Sequence, residues 1–466
     1  MSQKNNSQSS PFSRRDFLKT TTGIAIAGVL SGTAQASGSR HKHSDDSRDR
    51  WEDSDNHHSD KKFWEKISEE FILDPETTYM NIGTTGSMPR RVLNSYNDNN
   101  QIVASNPWDM QNKFGDWPHT TEMTDAIAAG FGADKDEIVI SRNTTDGMVS
   151  IINGLDIHEG DVILTTHHEH VAAISPLTIA AKRYGAIVVY LEIPVYSGDN
   201  EISAQDFVDV FAQGIADAQG PVRLIAFSHI TYKTGTTLPA KAICELATQH
   251  DISTLIDGAH TIGMMNVDFH DIGCDFYAGS GHKWQCGPGS TGILYVKKSS
   301  QEKLIWFINS SLGHIDSFSA QWKLQYKGND NFPALQALTD SCKMWDKIGR
   351  DKIQEHVLDL SALCKDLLTD NRAFPFGRLY APNIRELSSG ITSFNPFYDQ
   401  TDLIILTEFR DRLREETGYI IRTTDFKVQV DDNLETHALR ISTHLFHNDK
   451  DVKGLVKAMA KLYRTM

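Results

Sequence analysis

Seven short apolar runs, separated by amphipathic stretches, organise the chain between residues 137 and 297. They are EIVIS (137–141), DVILTT (161–166), AIVVYLEI (186–193), VRLIAFSH (222–229), STLIDGA (253–259), CDFYAGS (274–280) and TGILYVK (291–297). The first five are almost continuously apolar instead of alternating, the pattern of parallel strands buried on both faces. Helix-period segments fill the gaps at 145–155, 175–184, 203–217 and 240–249. Together they predict an α/β domain on a seven-stranded, mainly parallel sheet, with ligands at the carboxyl ends of the strands. Further on, long helical patterns at 332–348, 350–369, 403–417 and 449–463 with a few strands between them predict a smaller α+β domain. The body therefore divides into an N-terminal segment (63–100), a large domain (101–330) and a C-terminal small domain (331–466), without internal repeats.

Composition narrows the function classes. Asp+Glu 61 against Lys+Arg 46 leaves a formal charge of -15 over 466 residues. Nucleic acids and anionic membranes call for a basic footprint, which this chain lacks. Five cysteines (Cys244, Cys274, Cys286, Cys342, Cys364) are too few for a disulfide-dense scaffold. No Cys-x-x-Cys pair occurs among them, so a thiolate zinc site is not expected.

The N-terminus reads as an address label. Ser13-Arg14-Arg15-Asp16-Phe17-Leu18-Lys19 satisfies the twin-arginine pattern S-R-R-x-F-L-K, residues 23–30 form an apolar stretch too short to span a bilayer, and Ala34-Gln35-Ala36 offers a cleavage site. Residues 1–36 are expected to engage the twin-arginine export machinery and to leave a periplasmic protein with no membrane span. That route resembles one used by proteins already folded around a cofactor. Residues 37–62 hold almost no large apolar side chains and read as a disordered His/Asp-rich linker, so the fold should begin near Phe63.

One constellation carries chemistry. Asp257-Gly258-Ala259-His260 ends one expected strand, and Ser280-Gly281-His282-Lys283 ends the next. A carboxylate and a lysine at one sheet edge suit pyridoxal 5'-phosphate. The ε-amine condenses with the cofactor's aldehyde, and the carboxylate keeps the ring nitrogen protonated so that the ring accepts electrons. Asn143-Thr144-Thr145-Asp146-Gly147, between a strand and a helix, can aim backbone N–H groups and a hydroxyl at a phosphate. His170 follows the next strand and can lay its ring on the pyridine. Arg440, in Leu439-Arg440-Ile441-Ser442, offers a planar fork to a carboxylate.

With these residues in place the chain resembles the class V aminotransferases, fold-type I pyridoxal phosphate enzymes, and within them the isopenicillin N epimerase-like branch. The matching segments are Met80-Asn81-Ile82-Gly83-Thr84-Thr85-Gly86, residues 143–146, Glu169-His170, Ser228-His229 with Thr234-Gly235-Thr236, residues 257–260, residues 280–283 with Gly287-Pro288, and Arg440-Ile441-Ser442. The resemblance implies that Lys283 is the catalytic lysine, that Asp257 meets the ring nitrogen and that His260 lies near the ring hydroxyl. By the same likeness His170 stacks on the ring, while Thr144, Thr145, Ser280 and His282 hold the phosphate. Asn81, Gly83 and Arg440 fall at the substrate. It also implies a homodimer whose subunits complete each other's sites. The chain departs from the family pattern twice. Tyr232 follows His229-Ile230-Thr231 where Asn is usual, and Gly328-Asn329-Asp330 stands where Gly-Thr is usual.

Two other motifs fail on context. Gly287-Pro288-Gly289-Ser290-Thr291-Gly292 has dinucleotide-loop spacing, but a strand follows it where a helix is needed. His167-His168-Glu169-His170 misses the metalloprotease spacings, so no metal is expected. The expected activity is therefore transaminase- or epimerase-type chemistry on an amino-acid or peptidyl amino group. Export together with class resembles enzymes that modify siderophore side chains. The alternatives are a lyase and a non-catalytic scaffold. Desulfuration needs a mobile cysteine shortly before the carboxylate-binding arginine, and the last cysteine, Cys364, falls in a helical pattern. The presence of Lys283 and Asp257 argues against a scaffold.

Overall fold

The computed structural model describes residues 59–109, 113 and 119–466, which fall within a single unit, Asp53–Met466. The export signal (1–36) and residues 37–58 of the expected linker lie outside the described residues. Order begins before the expected Phe63, because the helix Ser59–Ser68 includes the last residues assigned to the linker. Its anchor is apolar: Trp64 stacks on His356 with ring centroids 4.0 Å apart, and that contact holds a polar first turn in helical form.

In chain order the strands are β1 (Thr78–Tyr79), β2 (Ile138–Ser141), β3 (Val162–Thr166), β4 (Ile187–Leu191), β5 (Val222–Ser228), β6 (Ser253–Asp257), β7 (Phe276–Ser280) and β8 (Gly292–Val296). The remainder are β9 (Arg378–Leu379), β10 (Ile391–Asn395), β11 (Tyr419–Ile420), β12 (Arg422–Phe426) and β13 (Thr436–Ser442). Strands β2 to β8 form one sheet in the order β2-β8-β7-β6-β5-β3-β4. From β7 to β4 every pairing is parallel, whereas β8 runs antiparallel to both its neighbours. This is the seven-stranded, mainly parallel sheet that the apolar runs predict.

Two of the five apolar runs differ from the expected parallel, doubly buried strand. EIVIS pairs only with β8, antiparallel. AIVVYLEI is an edge strand, with Ile187 and Tyr190 exposed. A continuous apolar run reports the layers above and below a strand. It carries no information on the direction of the strand beside it, or on whether there is one on both sides.

Successive residues enter opposite cores. Ile140, Leu164 and Ile256 join Phe131, Phe207 and Phe227 on one face, while Val139, Ile163 and Leu255 join Ile151, Leu177 and Leu294 on the other. A separate core of Met80, Leu360, Phe394, Phe409, Leu439 and Leu455 holds the antiparallel sheet β12-β13-β10-β9 against the helices Arg350–Leu368, Leu403–Thr417 and Asp449–Tyr463. Asp402 and Asn448 cap the starts of the last two helices with their side chains. Among the described residues no helix is long and apolar enough to cross a membrane.

The N-terminal segment stitches these parts together. β1 pairs with β11, and Ser442 N–H donates to the Met80 carbonyl at 2.9 Å. The chain then crosses the lysine loop, where Gly86 N–H donates to the His282 carbonyl at 2.7 Å. A Cβ on Gly86 would lie 2.0 Å from the Lys283 carbonyl oxygen, so only glycine permits this backbone contact.

Candidate active site

Parallel pairing brings Asp257 and Lys283 to one sheet edge. Ser228 of β5 is in register with Asp257 of β6, and Asp257 is in register with Ala278 of β7. Asp257 ends its strand, Ser280 ends the next, and Lys283 follows in the loop beyond. Asp257 is buried, its carboxylate accepts from Ala259 N–H at 2.9 Å, and burial raises its pKa while Lys283 opposes the rise. Lys283 is half-buried, and burial lowers its ammonium to about 8, with Asp257 pulling upward and Arg440 and Arg422 pushing further down. Among the described residues its amine has neither a hydrogen-bond acceptor nor an ion-pair partner.

Beside Ser280 a helix begins. Asn143 caps the helix Thr144–Gly154 by accepting from Asp146 N–H at 2.9 Å, and Thr144 Oγ1 lies 2.7 Å from Ser280 Oγ. Gly147 lets the helix lie close on β7, since a Cβ there would be 2.8 Å from that of Ala278. The result is a pair of hydroxyls at a helix N-terminus, ready-made for a phosphate. Thr145, the next residue of the same helix start, is exposed. His282 is lowered by burial and by Lys283, and its buried Nδ1 has no hydrogen-bond partner among the described residues.

Histidines line the other side. His170 caps the helix Val171–Tyr184 by accepting from Ala172 N–H at 3.1 Å, and its ring stands edge-on to Tyr232, 4.9 Å between centroids. Burial first, then Lys283, Arg422 and Arg440, hold it at about 4, so it stays neutral. His260 is buried and accepts from Trp284 Nε1–H at Nδ1, 3.2 Å, which leaves the proton on Nε2. Burial, Lys283 and Arg440 keep it neutral as well.

Arg440 is 1% exposed, yet it meets only neutral groups: the Tyr232 carbonyl (3.1 Å), Thr84 Oγ1 (3.2 Å) and Asn81 Oδ1 (3.4 Å). Its Nε has no hydrogen-bond partner among the described residues, and burial with Arg422 lowers the guanidinium to about 9. Gly83 packs against it; a Cβ there would be 3.1 Å from Arg440 Nη2 and 3.4 Å from His260 Cε1. So Lys283, Asp257, His170, His260, His282, Gly83, Asn81 and Arg440 share one pocket, with Thr144 and Ser280 at its helix end.

Sequence reasoning missed Arg422 and assigned no role to Glu169 or Tyr232. Arg422 of β12 acts on Lys283, His170 and Arg440, but only strand register reveals its position. Glu169 is buried with its carboxylate on Ser228 Oγ (2.6 Å), Ser228 N–H (3.1 Å) and Thr166 Oγ1 (2.6 Å); burial carries it to about 7 against those hydrogen bonds. Tyr232, one of the two departures from the family pattern, supplies its carbonyl to Arg440 and its ring to His170. In the other departure, Gly328 has φ +103°, Asn329 is exposed and Asp330 lies 3.8 Å from Arg142. The His167–His170 run diverges in space: His168 Nε2 meets the Lys427 carbonyl at 2.9 Å, while Glu169 turns to Ser228. A groove of about 750 Å³ bordered by His229, Leu238, Lys241 and Met265 has none of the expected site residues on its walls.

Pyridoxal phosphate fits the pocket on three observations among the described residues: an unpartnered lysine amine, a buried carboxylate facing it, and two hydroxyls at a helix start, with an orphaned imidazole nitrogen on His282 in the loop beyond Ser280. The comparisons agree. Isopenicillin N epimerase of Streptomyces clavuligerus is 25% identical over 416 residues, covering 86% of this chain and 98% of that protein. A probable cysteine desulfurase of Halalkalibacterium halodurans is 27% identical over 424 residues, 87% of this chain and 98% of the relative. The fold matches that of a C-DES variant with glycine covalently linked to its PLP cofactor, at TM-score 0.70 and 21% identity over 84% of this chain and 98% of that one. Residues 78–455 match aminotransferase class-V throughout, and the chain belongs to that family of pyridoxal phosphate enzymes.

Proposed function

We propose that this enzyme acts in the periplasm on the α-amino group of an amino acid or of a peptidyl residue, by transamination- or epimerisation-type chemistry, in the modification of siderophore side chains. The observation that carries the substrate class is Arg440, a buried cation held only by neutral groups and facing the same pocket as Lys283. A buried charge without a counter-ion costs stability, and an incoming carboxylate offsets that cost. Bound cofactor would supply an electron sink that makes a Cα proton removable. Its phosphate would sit by Thr144, Ser280 and His282, and its ring between His170 and Asp257. Lys283, with its pKa brought down to about 8, can then take up and return a proton at Cα near neutral pH. Arg440, set by Asn81, Thr84 and Tyr232, would fix the carboxylate so that Cα faces that amine.

Desulfuration, the activity named for one relative, needs an accessible thiolate. All five cysteines are buried, burial pushes every one of their thiols upward, and Cys364 lies inside the helix Arg350–Leu368. This favours chemistry at Cα over sulfur transfer. A homodimer is part of the same reading. Ile305, Trp306 and Ile308 are exposed, and, a few residues on, Ser311 N–H donates to the carbonyl of Tyr326, two residues before the Gly328-Asn329-Asp330 turn.

The deciding experiment incubates cofactor-loaded protein with amino acids and siderophore-type peptides, following absorbance and Cα–H exchange with solvent deuterium. Exchange with at least one α-amino acid is expected; release of sulfide from cysteine without Cα exchange would refute the reading. Export is tested by replacing Arg14 and Arg15 with Lys, which should hold folded, cofactor-bearing precursor in the cytoplasm.

A further inference from the structure

We infer that Arg422 is a second anion-binding group of this pocket, and that the substrate carries two negative groups: an α-carboxylate on Arg440 and a side-chain carboxylate on Arg422. The inference rests on the amino-acid reading above and narrows it to a dicarboxylic class.

Register supplies the first argument. Arg422 of β12 lies directly opposite Arg440 of β13, and opposed residues of an antiparallel pair project to the same face. Their guanidiniums share an acceptor, Thr84 Oγ1, at 3.5 Å from Arg422 Nη1 and 3.2 Å from Arg440 Nη2. Charge supplies the second. The other acceptors are the Thr423 carbonyl for Arg422 and the Tyr232 carbonyl and Asn81 amide for Arg440, all neutral. Among the described residues neither guanidinium forms an ion pair with a carboxylate. The acids at this rim, Asp425 and Glu435, act on Lys233, a third cation, which lies over the Tyr232 ring. Two like charges set side by side repel, and one carboxylate offsets only one of them.

Depth supplies the third argument. Arg440 is fully buried, whereas Arg422 is only half-buried and so lies further out. An α-carboxylate beside Lys283 and Arg440 leaves the side chain of the substrate pointing towards Arg422. A carboxylate there finds Nη2 without a hydrogen bond among the described residues.

The test uses the cofactor-loaded protein and unreactive probes, glutarate against butyrate, with affinities from calorimetry. Glutarate should bind about tenfold or more tighter than butyrate, as a charge-assisted pair predicts. Arg422→Gln should remove most of that preference while changing butyrate affinity by less than about threefold, and Arg440→Gln should weaken both probes. The cofactor's absorbance reports that each variant is folded and loaded. Equal affinity for the two probes in the native protein would overturn the inference. So would a parallel loss of both in Arg422→Gln, which would mean that the two arginines grip one carboxylate. Failure of the amino-acid reading is separate: no amino acid would then perturb the absorbance, whatever the probes do.

Discussion

Two lysines with lowered pKa values show what separates a reactive pocket from a well-made core. Lys365 lies on the helix Arg350–Leu368, fully enclosed, and burial lowers it to about 7. Lys283 is lowered to about 8 for the same first reason. Their partners differ. Lys365 donates to the Pro382 carbonyl at 2.8 Å and to Ser388 Oγ at 2.6 Å, so its amine is satisfied and closed in. Lys283 has no acceptor among the described residues, opens to a pocket, and faces a buried carboxylate with arginines behind it. A depressed pKa therefore does not by itself mark a functional lysine. An amine with nothing to bind, in a place a ligand can reach, does.

The strongest way to break this comparison is to exchange the roles. Lys283→Ala should leave a folded protein with no covalently held cofactor, measured as complete loss of the borohydride-fixable adduct. Lys365→Ala should retain the adduct in full on every folded molecule. An adduct mapped to Lys365 or any other lysine would end the distinction.

Asp257→Asn sharpens the electrostatic half of the contrast. The amide keeps the shape and loses the charge facing Lys283, so kcat should fall by about 10²–10³, while the protein still folds. Steady-state rates with the best substrate from the amino-acid panel give the number. A fall below tenfold would mean that the carboxylate is structural.

Stability should respond in the opposite order. Lys365→Ala removes a packed side chain and orphans the Pro382 carbonyl, at a cost of about 2–4 kcal/mol in urea unfolding. Lys283→Ala, in an open pocket, should change stability by less than about 1 kcal/mol or raise it slightly.

The last contrast is in pH dependence. Both lysines have folded pKa values below the free value of 10.5, so the unfolded chain binds the extra proton at intermediate pH. Stability of the cofactor-free protein should then rise with pH, from about 7 to 10.5 through Lys365 and from about 8 to 10.5 through Lys283. Below these windows both states are protonated and the penalty is constant. The Lys283 contribution should be the weaker, since solvent screens a half-exposed amine. Each alanine variant should flatten its own window in unfolding at pH 6.5, 8 and 9.5.

The chain alone determined the elements and the chemistry at their ends. The seven apolar runs became β2 to β8, because a strand buried on both faces needs apolar side chains at consecutive positions. Asp257, Ser280 and Lys283 were legible because the first two stand where a strand stops and the third follows in the loop just beyond, and parallel neighbours place such ends on one edge. Tertiary structure alone decided what crosses between elements. The antiparallel pairing of β2, the exposed edge of β4 and the register that sets Arg422 opposite Arg440 depend on neighbours far away in sequence, which no local pattern encodes. Gly86 against the Lys283 carbonyl and Glu169 on Ser228 are likewise long-range contacts. A lone arginine in a string looks like any surface charge. It becomes a site when folding removes it from water and gives it no counter-charge.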